Sequence, residues 1–161
     1  EALAQPDFAL ALLREAKKRH IHTTIETCGH YPTDVLDQAC RVLDALIFDI
    51  KCLDSARHKK ATGVGSELIL KNIGHVFEHF PELPVLIRTP VIPGFNDTEE
   101  DILGIREMIP RKANIRYEAL TYHRMGQPKY GYLGRRYELE GVKADEAFMK
   151  RLNIMLKSYE K

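Results

Sequence analysis

Charged and polar side chains close four short apolar segments of this sequence, and together they could bind a charged ligand. The four segments end in Glu26 and Thr27, in Asp49-Ile50-Lys51, in Arg88 and in His123. A carboxylate and an ammonium group separated by one residue lie on the same face of a strand. Asp49 and Lys51 could therefore hold both charged ends of an amino acid, and a structural salt bridge between them is the alternative interpretation.

The other side chains offer complementary chemistry. Glu26 and Thr27 supply hard oxygen ligands that could hold a cation or an ammonium group, although a solvated turn has the same composition. Arg88 ends an apolar strand, so its guanidinium needs an anionic partner, which could be Glu26, Asp49 or a ligand. His123 could stack on a ligand or form a hydrogen bond with it, although a lone histidine is more often a surface or packed residue.

Alternating strands and helices would bring these side chains together. The apolar segments predict strands over 21–26, 45–50, 84–90 and 114–120, and helical patterns separate them. Helices are predicted from Pro6 to residues 17–19, from a Thr33 cap to about Leu43, from an Asp54 cap to Gly63, from Ser66, from a capping box at 97–100 to about Ile109, and from about Ala144. A glycine-rich loop is expected over 124–141. This order predicts an α/β fold with a parallel sheet, and ligands bind such sheets at the carboxyl ends of the strands.

The predicted sheet has one apolar and one polar face. Residues such as Ile21, Ile25, Phe48 and Ile87 share the apolar face, and the first helix is expected to bury Phe8, Leu12, Leu13 and Ala16. The opposite face carries His22, Thr24, Glu26, Asp49, Lys51, Arg88, Arg116 and Glu118. Because parallel sheets are normally apolar on both faces, a polar face indicates the lumen of a partial barrel with part of its sheet missing.

Composition excludes several function classes. The 161 residues fit one domain or a large part of one, with 44% hydrophobic and 29% charged residues, as in soluble globular proteins. A net charge of +1 without basic clusters argues against nucleic acid, and no apolar run predicts a membrane span or a signal peptide. The three cysteines are sparse and form no zinc motif, which suits the cytoplasm, and Cys28 is expected to be a small packed residue. The chain begins at Glu1 and not at Met, which indicates a longer parent protein.

Several sequence blocks in one register carry a resemblance to a known family. They are residues 20–29 (HIHTTIETCG), 48–51 (FDIK), 62–64 (TGV), 87–88 (IR), 91–97 (VIPGFND), 122–126 (YHRMG) and 129–130 (KY). With these blocks the chain resembles the glycyl-radical-enzyme activating enzymes, a radical S-adenosylmethionine family that includes the pyruvate formate-lyase activating enzymes. The resemblance covers nearly the whole chain.

The resemblance implies a fold and an activity. The family has a partial (β/α)6 barrel, of which residues 1–161 would form a single partial domain with about four strands. Its members are oxidoreductases, in which a [4Fe-4S] cluster cleaves S-adenosylmethionine and the resulting radical takes a hydrogen atom from a glycine of a partner glycyl-radical enzyme.

The resemblance also implies roles for individual residues, none of them catalytic. Glu1 would meet the ammonium group of S-adenosylmethionine, and Lys51 its nucleoside or carboxylate. Arg88 and His123 would line the same pocket. Glu26, Thr27 and Asp49 would lie near the amino-acid part of the ligand and would hold a monovalent cation.

The chain also departs from the family pattern. The family's CxxxCxxC cluster motif lies upstream of the matched region, and this chain has none. We therefore expect a C-terminal portion of an activase that lacks the first two strands and holds no cluster, so that it is inactive alone. The usual Leu-Pro-Tyr-His is Leu120-Thr121-Tyr122-His123 here.

Two alternatives remain open. The chain could be a non-catalytic module that assembles with itself or a second chain, and its unpaired first-strand edge would favour a homodimer. It could also be an unrelated β/α barrel enzyme acting on a phosphorylated or amino-acid substrate. A glycine-rich phosphate loop would support this alternative, and the sequence has none.

Overall fold

The computed structural model describes residues 1–159 and contains one parallel sheet of four strands. The strands are β1 (Thr24–Thr27), β2 (Ala45–Asp49), β3 (Val85–Val91) and β4 (Ile115–Thr121), and they are hydrogen-bonded in the order β1-β2-β3-β4. The predicted α/β class and sequential parallel order are therefore confirmed. The carboxyl ends of all four strands lie at one edge of the sheet.

Helices connect and follow the strands. They are α1 (Pro6–Lys18), α2 (Thr33–Cys40), α3 (Ser55–Thr62), α4 (Glu67–His79), α5 (Glu99–Met108), α6 (Gln127–Tyr132) and α7 (Glu146–Ser158), with a short 3₁₀ helix at Ala2–Ala4. The prediction of an uninterrupted loop over 124–141 is wrong, because α6 forms within it. Pro128 lies in the first turn of α6, where a proline needs no backbone donor.

Most predicted helix starts are correct. Asp54 caps α3 by accepting a hydrogen bond from the Arg57 amide at 2.9 Å, and Thr98 caps α5 by accepting one from the Asp101 amide at 3.1 Å. The predicted Thr33 cap is wrong, because the Thr33 hydroxyl instead donates to Asn72 Oδ1 at 2.7 Å. The packing partner on α4 thus takes the hydroxyl that the sequence pattern assigned to the helix end.

One face of the sheet is buried against helices. The main hydrophobic core includes Ile25, Leu46, Phe48, Val85 and Ile87 from the strands, together with side chains of α1, α2, α4 and α5. Each fully buried large side chain stabilises the fold by about 1.5–3 kcal/mol. A second, smaller cluster joins the ends of β3 and β4 to α5 and α7.

The N-terminal part of the chain differs from the prediction. β1 begins at Thr24 and not at residue 21, and Ile21 is 55% exposed. The chain enters β1 through Thr23, whose hydroxyl donates to Val42 O at 2.7 Å and whose amide donates to Asp44 Oδ2 at 2.8 Å. These side-chain contacts hold the segment that the apolar pattern had assigned to the sheet.

The buried face of α1 was predicted only in part, because Leu13 and Ala16 are partly buried and the other two side chains are exposed. Leu10 lies in the core with Ala9 and Leu13 against it, whereas Phe8 and Leu12 are 67% and 58% exposed. Helical periodicity identified an amphipathic helix, but two neighbouring apolar faces were available and the pattern did not decide between them.

The second face of the sheet is polar, as predicted. Thr24, Glu26, Arg116 and Glu118 are exposed, and Asp49 and Arg88 are half-buried. Within residues 1–159, no helix is both long enough and apolar enough to cross a membrane.

Candidate functional site

Glu1 lies at the carboxyl end of β1 and is fixed there by two hydrogen bonds. Thr27 Oγ1 donates to Glu1 Oε2 at 2.6 Å, and the Cys28 amide donates to Glu1 Oε1 at 2.9 Å. Partial burial raises the pKa of the Glu1 carboxyl, but these two hydrogen bonds favour the ionised form and bring the pKa below its ordinary value. Glu1 therefore presents an oriented carboxylate beside the end of β1.

Thr27 and Glu26 point to opposite faces of β1. Thr27 is buried on the helix side, where its hydroxyl also accepts a hydrogen bond from the Gly29 amide at 2.9 Å, whereas Glu26 is exposed on the polar face. Asp49 lies on the polar face as well, because it aligns with Arg88 in the β2–β3 register. The structure thus brings the side chains of Glu26 and Asp49 to one face and separates that of Thr27 from them.

Asp49 and Lys51 form an ion pair at the end of β2. Lys51 Nζ lies 3.1 Å from Asp49 Oδ2, and the two side chains are 26% and 24% exposed. The two side chains that the spacing placed on one face are therefore in contact with each other. A partly exposed pair can exchange its internal partner for the charged groups of a ligand.

Arg88 contacts two carboxylates on the polar face. Its Nη1 lies 3.3 Å from Glu26 Oε1, and its Nε lies 3.3 Å from Glu118 Oε2. The sequence offered Glu26 and Asp49 as protein partners for Arg88. In the structure Arg88 contacts Glu26, and it also contacts Glu118 of β4. Glu118 was visible in the alternation of β4, but its contact with Arg88 depends on the β3–β4 register, which pairs these two residues.

Buried polar side chains hold the backbone that follows the strands. Thr89 Oγ1 donates to Ile50 O at 2.7 Å, and Asn96 Nδ2 donates to Lys51 O at 2.7 Å. Asn72 Nδ2 donates to Gly29 O and Tyr31 O at 2.7 and 2.8 Å. The spacing of Thr89 and Asn72 does not distinguish them from ordinary strand or helix residues. Asn96 lies in the block 91–97 that carries the family resemblance, but that resemblance assigns it no role.

His123 follows β4 at the same edge of the sheet. It is exposed and lines a cavity of about 350 Å³ with Tyr122, Arg124, Lys143 and other residues of the α7 approach. Among the described residues, no hydrogen bond or ion pair links His123 to Glu1, Glu26, Thr27, Asp49, Lys51 or Arg88. His123 is therefore near the carboxyl edge but separate from the network on the first three strands.

The cysteines do not form a cluster site in residues 1–159. Cys40 and Cys52 are buried and Cys28 is half-buried, and no group of three or more His, Cys, Asp or Glu side chains in this range is placed to hold a metal ion. Burial raises the pKa of the Cys40 thiol to about 12, and burial also raises that of Cys28. Thiols of this kind do not fit an iron–sulfur cluster, which needs converging thiolates.

Comparison with known families identifies the superfamily of the chain. A profile described as the Radical SAM superfamily matches residues 1–105. The chain belongs to the radical S-adenosylmethionine superfamily. The predicted superfamily is therefore confirmed, and an unrelated barrel enzyme is excluded. Members of this superfamily use S-adenosylmethionine and a [4Fe-4S] cluster.

Individual relatives are activating enzymes. The (2S)-3-sulfopropanediol sulfolyase activating enzyme of Bilophila wadsworthia is 99% identical to this chain over the whole length of the chain, and the matched region is 53% of that enzyme. It is 46% identical, over 97% of its length, to 50% of an isethionate sulfite-lyase activating enzyme of Nitratidesulfovibrio vulgaris. It is 37% identical, over 99% of its length, to 53% of a choline trimethylamine-lyase activating enzyme of Oleidesulfovibrio alaskensis.

These comparisons also define how much of a protein the chain represents. The chain spans about half the length of the curated relatives it matches. A crystal structure of a domain of pyruvate-formate lyase-activating enzyme from Bacteroides vulgatus superposes with a TM-score of 0.75 and 26% identity, over 99% of this chain and 89% of that one. The prediction of part of a radical S-adenosylmethionine barrel is therefore confirmed.

Proposed function

We propose that this chain forms the part of a glycyl-radical-enzyme activase that binds the amino-acid and nucleoside portions of S-adenosylmethionine. The observation that supports this proposal is the placement of three charged groups: Glu1 is hydrogen-bonded at the end of β1, the Asp49–Lys51 pair lies at the end of β2, and Arg88, aligned with Asp49, pairs with Glu26 on the polar face. Charged residues near the carboxyl ends of parallel strands are typical of ligand sites.

The charged groups match the ends of the ligand. The oriented Glu1 carboxylate and Asp49 would accept hydrogen bonds from the ammonium group, and Lys51 and Arg88 would contact the carboxylate or nucleoside. His123 would line the outer part of the pocket. In the longer protein, the cluster supplies the electron that cleaves S-adenosylmethionine, and its cysteine ligands would come from outside residues 1–159.

A monovalent cation would lie beside Glu26 and Asp49. Their carboxylates share the polar face, and hard oxygen ligands suit such ions. Because the Thr27 side chain faces the helices, Thr27 would contribute its backbone carbonyl oxygen to this site.

The binding role is tested in the longer protein with reconstituted cluster. Lys51→Met is expected to weaken the binding of S-adenosylmethionine about tenfold, since it removes one charged hydrogen bond. Lys112→Met, beyond the opposite edge of the sheet, is the matched control and should leave the affinity unchanged. Equal affinities of the Lys51→Met variant and the unchanged protein, by isothermal titration calorimetry, would refute the assignment of Lys51.

The relatives support a proposal for the partner enzyme. Identity of 99% to a (2S)-3-sulfopropanediol sulfolyase activating enzyme, against 46% to an isethionate sulfite-lyase activating enzyme, supports the sulfolyase as the partner. Electron paramagnetic resonance should show a glycyl radical on purified sulfolyase after incubation with the longer protein, and a weaker signal on isethionate sulfite-lyase. A stronger signal on the lyase would contradict this assignment.

We also propose a domain organisation and a cellular location for this chain and for the longer protein to which it would belong. Residues 1–161 would form a single partial barrel domain of a cytoplasmic oxidoreductase that binds no nucleic acid. Sparse cysteines and the near-neutral net charge of +1 support this.

The isolated chain would be inactive and would form a homodimer. Phe8 and Leu12 on α1 and Ile21, which precedes the edge strand β1 in the chain, are exposed apolar side chains that favour this association. Light scattering of the isolated chain at micromolar concentration should give the mass of a dimer, and a monomer would refute it.

A further inference from the structure

The side chain of Asn96 is fully buried in the segment that follows β3, and all of its polar atoms are hydrogen-bonded. Its relative exposure is 0%. Nδ2 donates to Lys51 O at 2.7 Å and to Pro90 O at 2.9 Å, and Oδ1 accepts a hydrogen bond from the Ile92 amide at 2.7 Å. One amide group therefore joins the backbone after β2 to the backbone of β3 and its exit.

Lys51 depends on this contact because it lies beyond the end of β2. Beyond Asp49, the Ile50 amide still donates to Arg88 O of β3 at 2.9 Å. The Ile50 carbonyl accepts a hydrogen bond from Thr89 Oγ1 at 2.7 Å, and the next carbonyl, that of Lys51, accepts one from Asn96 Nδ2. The Lys51 side chain then reaches back to Asp49, with which it forms the ion pair described above.

We propose that Asn96 is a positioning residue for Lys51 in the S-adenosylmethionine site. This inference rests on the proposed function and extends it from the charged side chains to the buried contact that fixes one of them. Asn96 holds the Lys51 main chain, and through it the direction from which the Lys51 ammonium group reaches Asp49 or a ligand.

The chemistry of the contact explains why an asparagine stands there. The site needs two donors and one acceptor in a planar group of fixed length. An aspartate of the same shape has no donor and would place a carboxylate against two carbonyl oxygens. A serine can keep one donor, so it should retain part of the function.

The chain offers a matched control at the other end of the sheet. Asn114 Nδ2 donates to Pro81 O at 3.0 Å and to Leu83 O at 2.9 Å, so it also bridges two backbone carbonyls. Asn114 precedes β4 and is therefore at the amino edge, away from Lys51. Substitution of either asparagine removes two amide–carbonyl hydrogen bonds, but only Asn96 contacts the residue assigned to the ligand.

The experiment compares Asn96→Asp, Asn96→Ser and Asn114→Asp in the longer protein with reconstituted cluster. Asn96→Asp is expected to raise the dissociation constant of S-adenosylmethionine about tenfold, and Asn96→Ser about threefold. Asn114→Asp should leave it within about twofold of the unchanged protein. If Asn96→Asp does not fold, the serine variant still gives the comparison. Unchanged affinity in the folded Asn96 variants would overturn the inference.

A second measurement separates positioning from general destabilisation. In a Lys51→Met background, Asn96→Ser should cause no further loss of affinity, because the ammonium group that it positions is already absent. Losses that multiply would show that Asn96 acts independently of Lys51 and would overturn the inference. If Lys51→Met alone leaves affinity unchanged, the proposed role of Lys51 fails, and the inference fails with it. If Lys51→Met weakens binding and the Asn96 variants do not, only the inference fails.

Discussion

At the scale of single residues, the polar face of the sheet satisfies its own charges with partly exposed ion pairs. Arg88 contacts Glu26 and Glu118, and Lys51 contacts Asp49. Partly exposed pairs contribute only about 0–1 kcal/mol to stability. These pairs therefore contribute little to the stability of the fold, and their charges are available for the ligand binding proposed above.

Arg88→Met tests this separation of binding from stability. We expect the affinity for S-adenosylmethionine to fall about tenfold, while the free energy of unfolding changes by less than about 1 kcal/mol. Arg41→Met is the control, because Arg41 forms a comparable pair with Asp37 on α2, at 2.8 Å. Calorimetry and denaturant unfolding provide the two readouts. A large loss of stability in Arg88→Met, or a loss of affinity in Arg41→Met, would contradict this view.

The sequence predicted the charged site residues better than the residues that hold them. The i and i+2 spacing placed Asp49 and Lys51 on one face, and strand alternation placed Glu26 and Arg88 on it as well. The expectation that Arg88 ends its strand is wrong, because β3 continues to Val91. Asn72 and Asn96 could not be predicted, because a buried amide is defined by which distant carbonyls it meets. Glu118 was placed on the correct face, but its pairing with Arg88 depends on strand register.

At the scale of elements, side chains outside the strands determine where β1 begins. Lys17 Nζ on α1 lies 2.6 Å from Asp44 Oδ1, and Asp44 also accepts a hydrogen bond from the Thr23 amide. One carboxylate thus joins the end of α1, the entry to β1 and the entry to β2. The sequence predicted these elements, but it could not predict this boundary, since the deciding contact joins residues far apart in the chain.

The Asp44 contacts should be visible in the pH dependence of stability. The hydrogen bonds from Lys17 and Thr23 lower the pKa of Asp44 from 3.8 to about 2. A carboxyl group whose pKa is lowered by folding stabilises the fold at pH values above its ordinary pKa. This stabilisation is lost as the pH falls through the pKa of the folded state. Asp44→Asn should therefore be less stable than the unchanged chain at neutral pH. The difference should shrink as the pH falls from 3.8 to about 2. Denaturant unfolding across this range measures it, and a difference independent of pH would refute the explanation.

Gly29, just after β1, packs tightly against the Phe48 ring of β2. Its φ is +71°, and an added Cβ would overlap the Phe48 ring. Gly29→Ala should therefore destabilise the chain by roughly 2–5 kcal/mol, through both backbone strain and overpacking. Gly63→Ala, with φ of +90° and open space around it, should cost only about 1–2 kcal/mol. Denaturant unfolding compares them, and equal costs would show that the Phe48 contact relaxes freely.

At the scale of the whole molecule, the two faces of the sheet differ, since helices cover one face and nothing in residues 1–159 covers the other. Helices cover the apolar face, and the polar face is open to solvent along Thr24, Glu26 and Arg116. The fold class was predictable because alternation of strands and helices is a property of the whole sequence. The exposed side of α1 was not predictable, because α1 carries two neighbouring apolar faces and periodicity alone does not decide which of them is buried.

Self-association of the isolated chain should depend on this apolar surface of α1. The double substitution Phe8→Ser and Leu12→Ser is expected to shift the proposed dimer to monomer, since both side chains are more than half exposed. Ile154→Ser on α7 is the control, because Ile154 is 73% exposed and lies on a different helix. Sedimentation velocity gives the masses. A dimer that persists in the double variant, or is lost in the control, would place the contact elsewhere.

Arg88 has a further consequence because its two partners lie on the two edge strands. Glu26 belongs to β1 and Glu118 to β4, so one guanidinium reaches across β2 and ties both margins of the sheet to its interior. Fraying of the two margins should therefore be correlated. In Arg88→Met, the backbone amides of β1 and of β4 should both exchange with deuterium faster than in the unchanged chain. A bound carboxylate that draws the guanidinium away from both glutamates would loosen both margins in the same step.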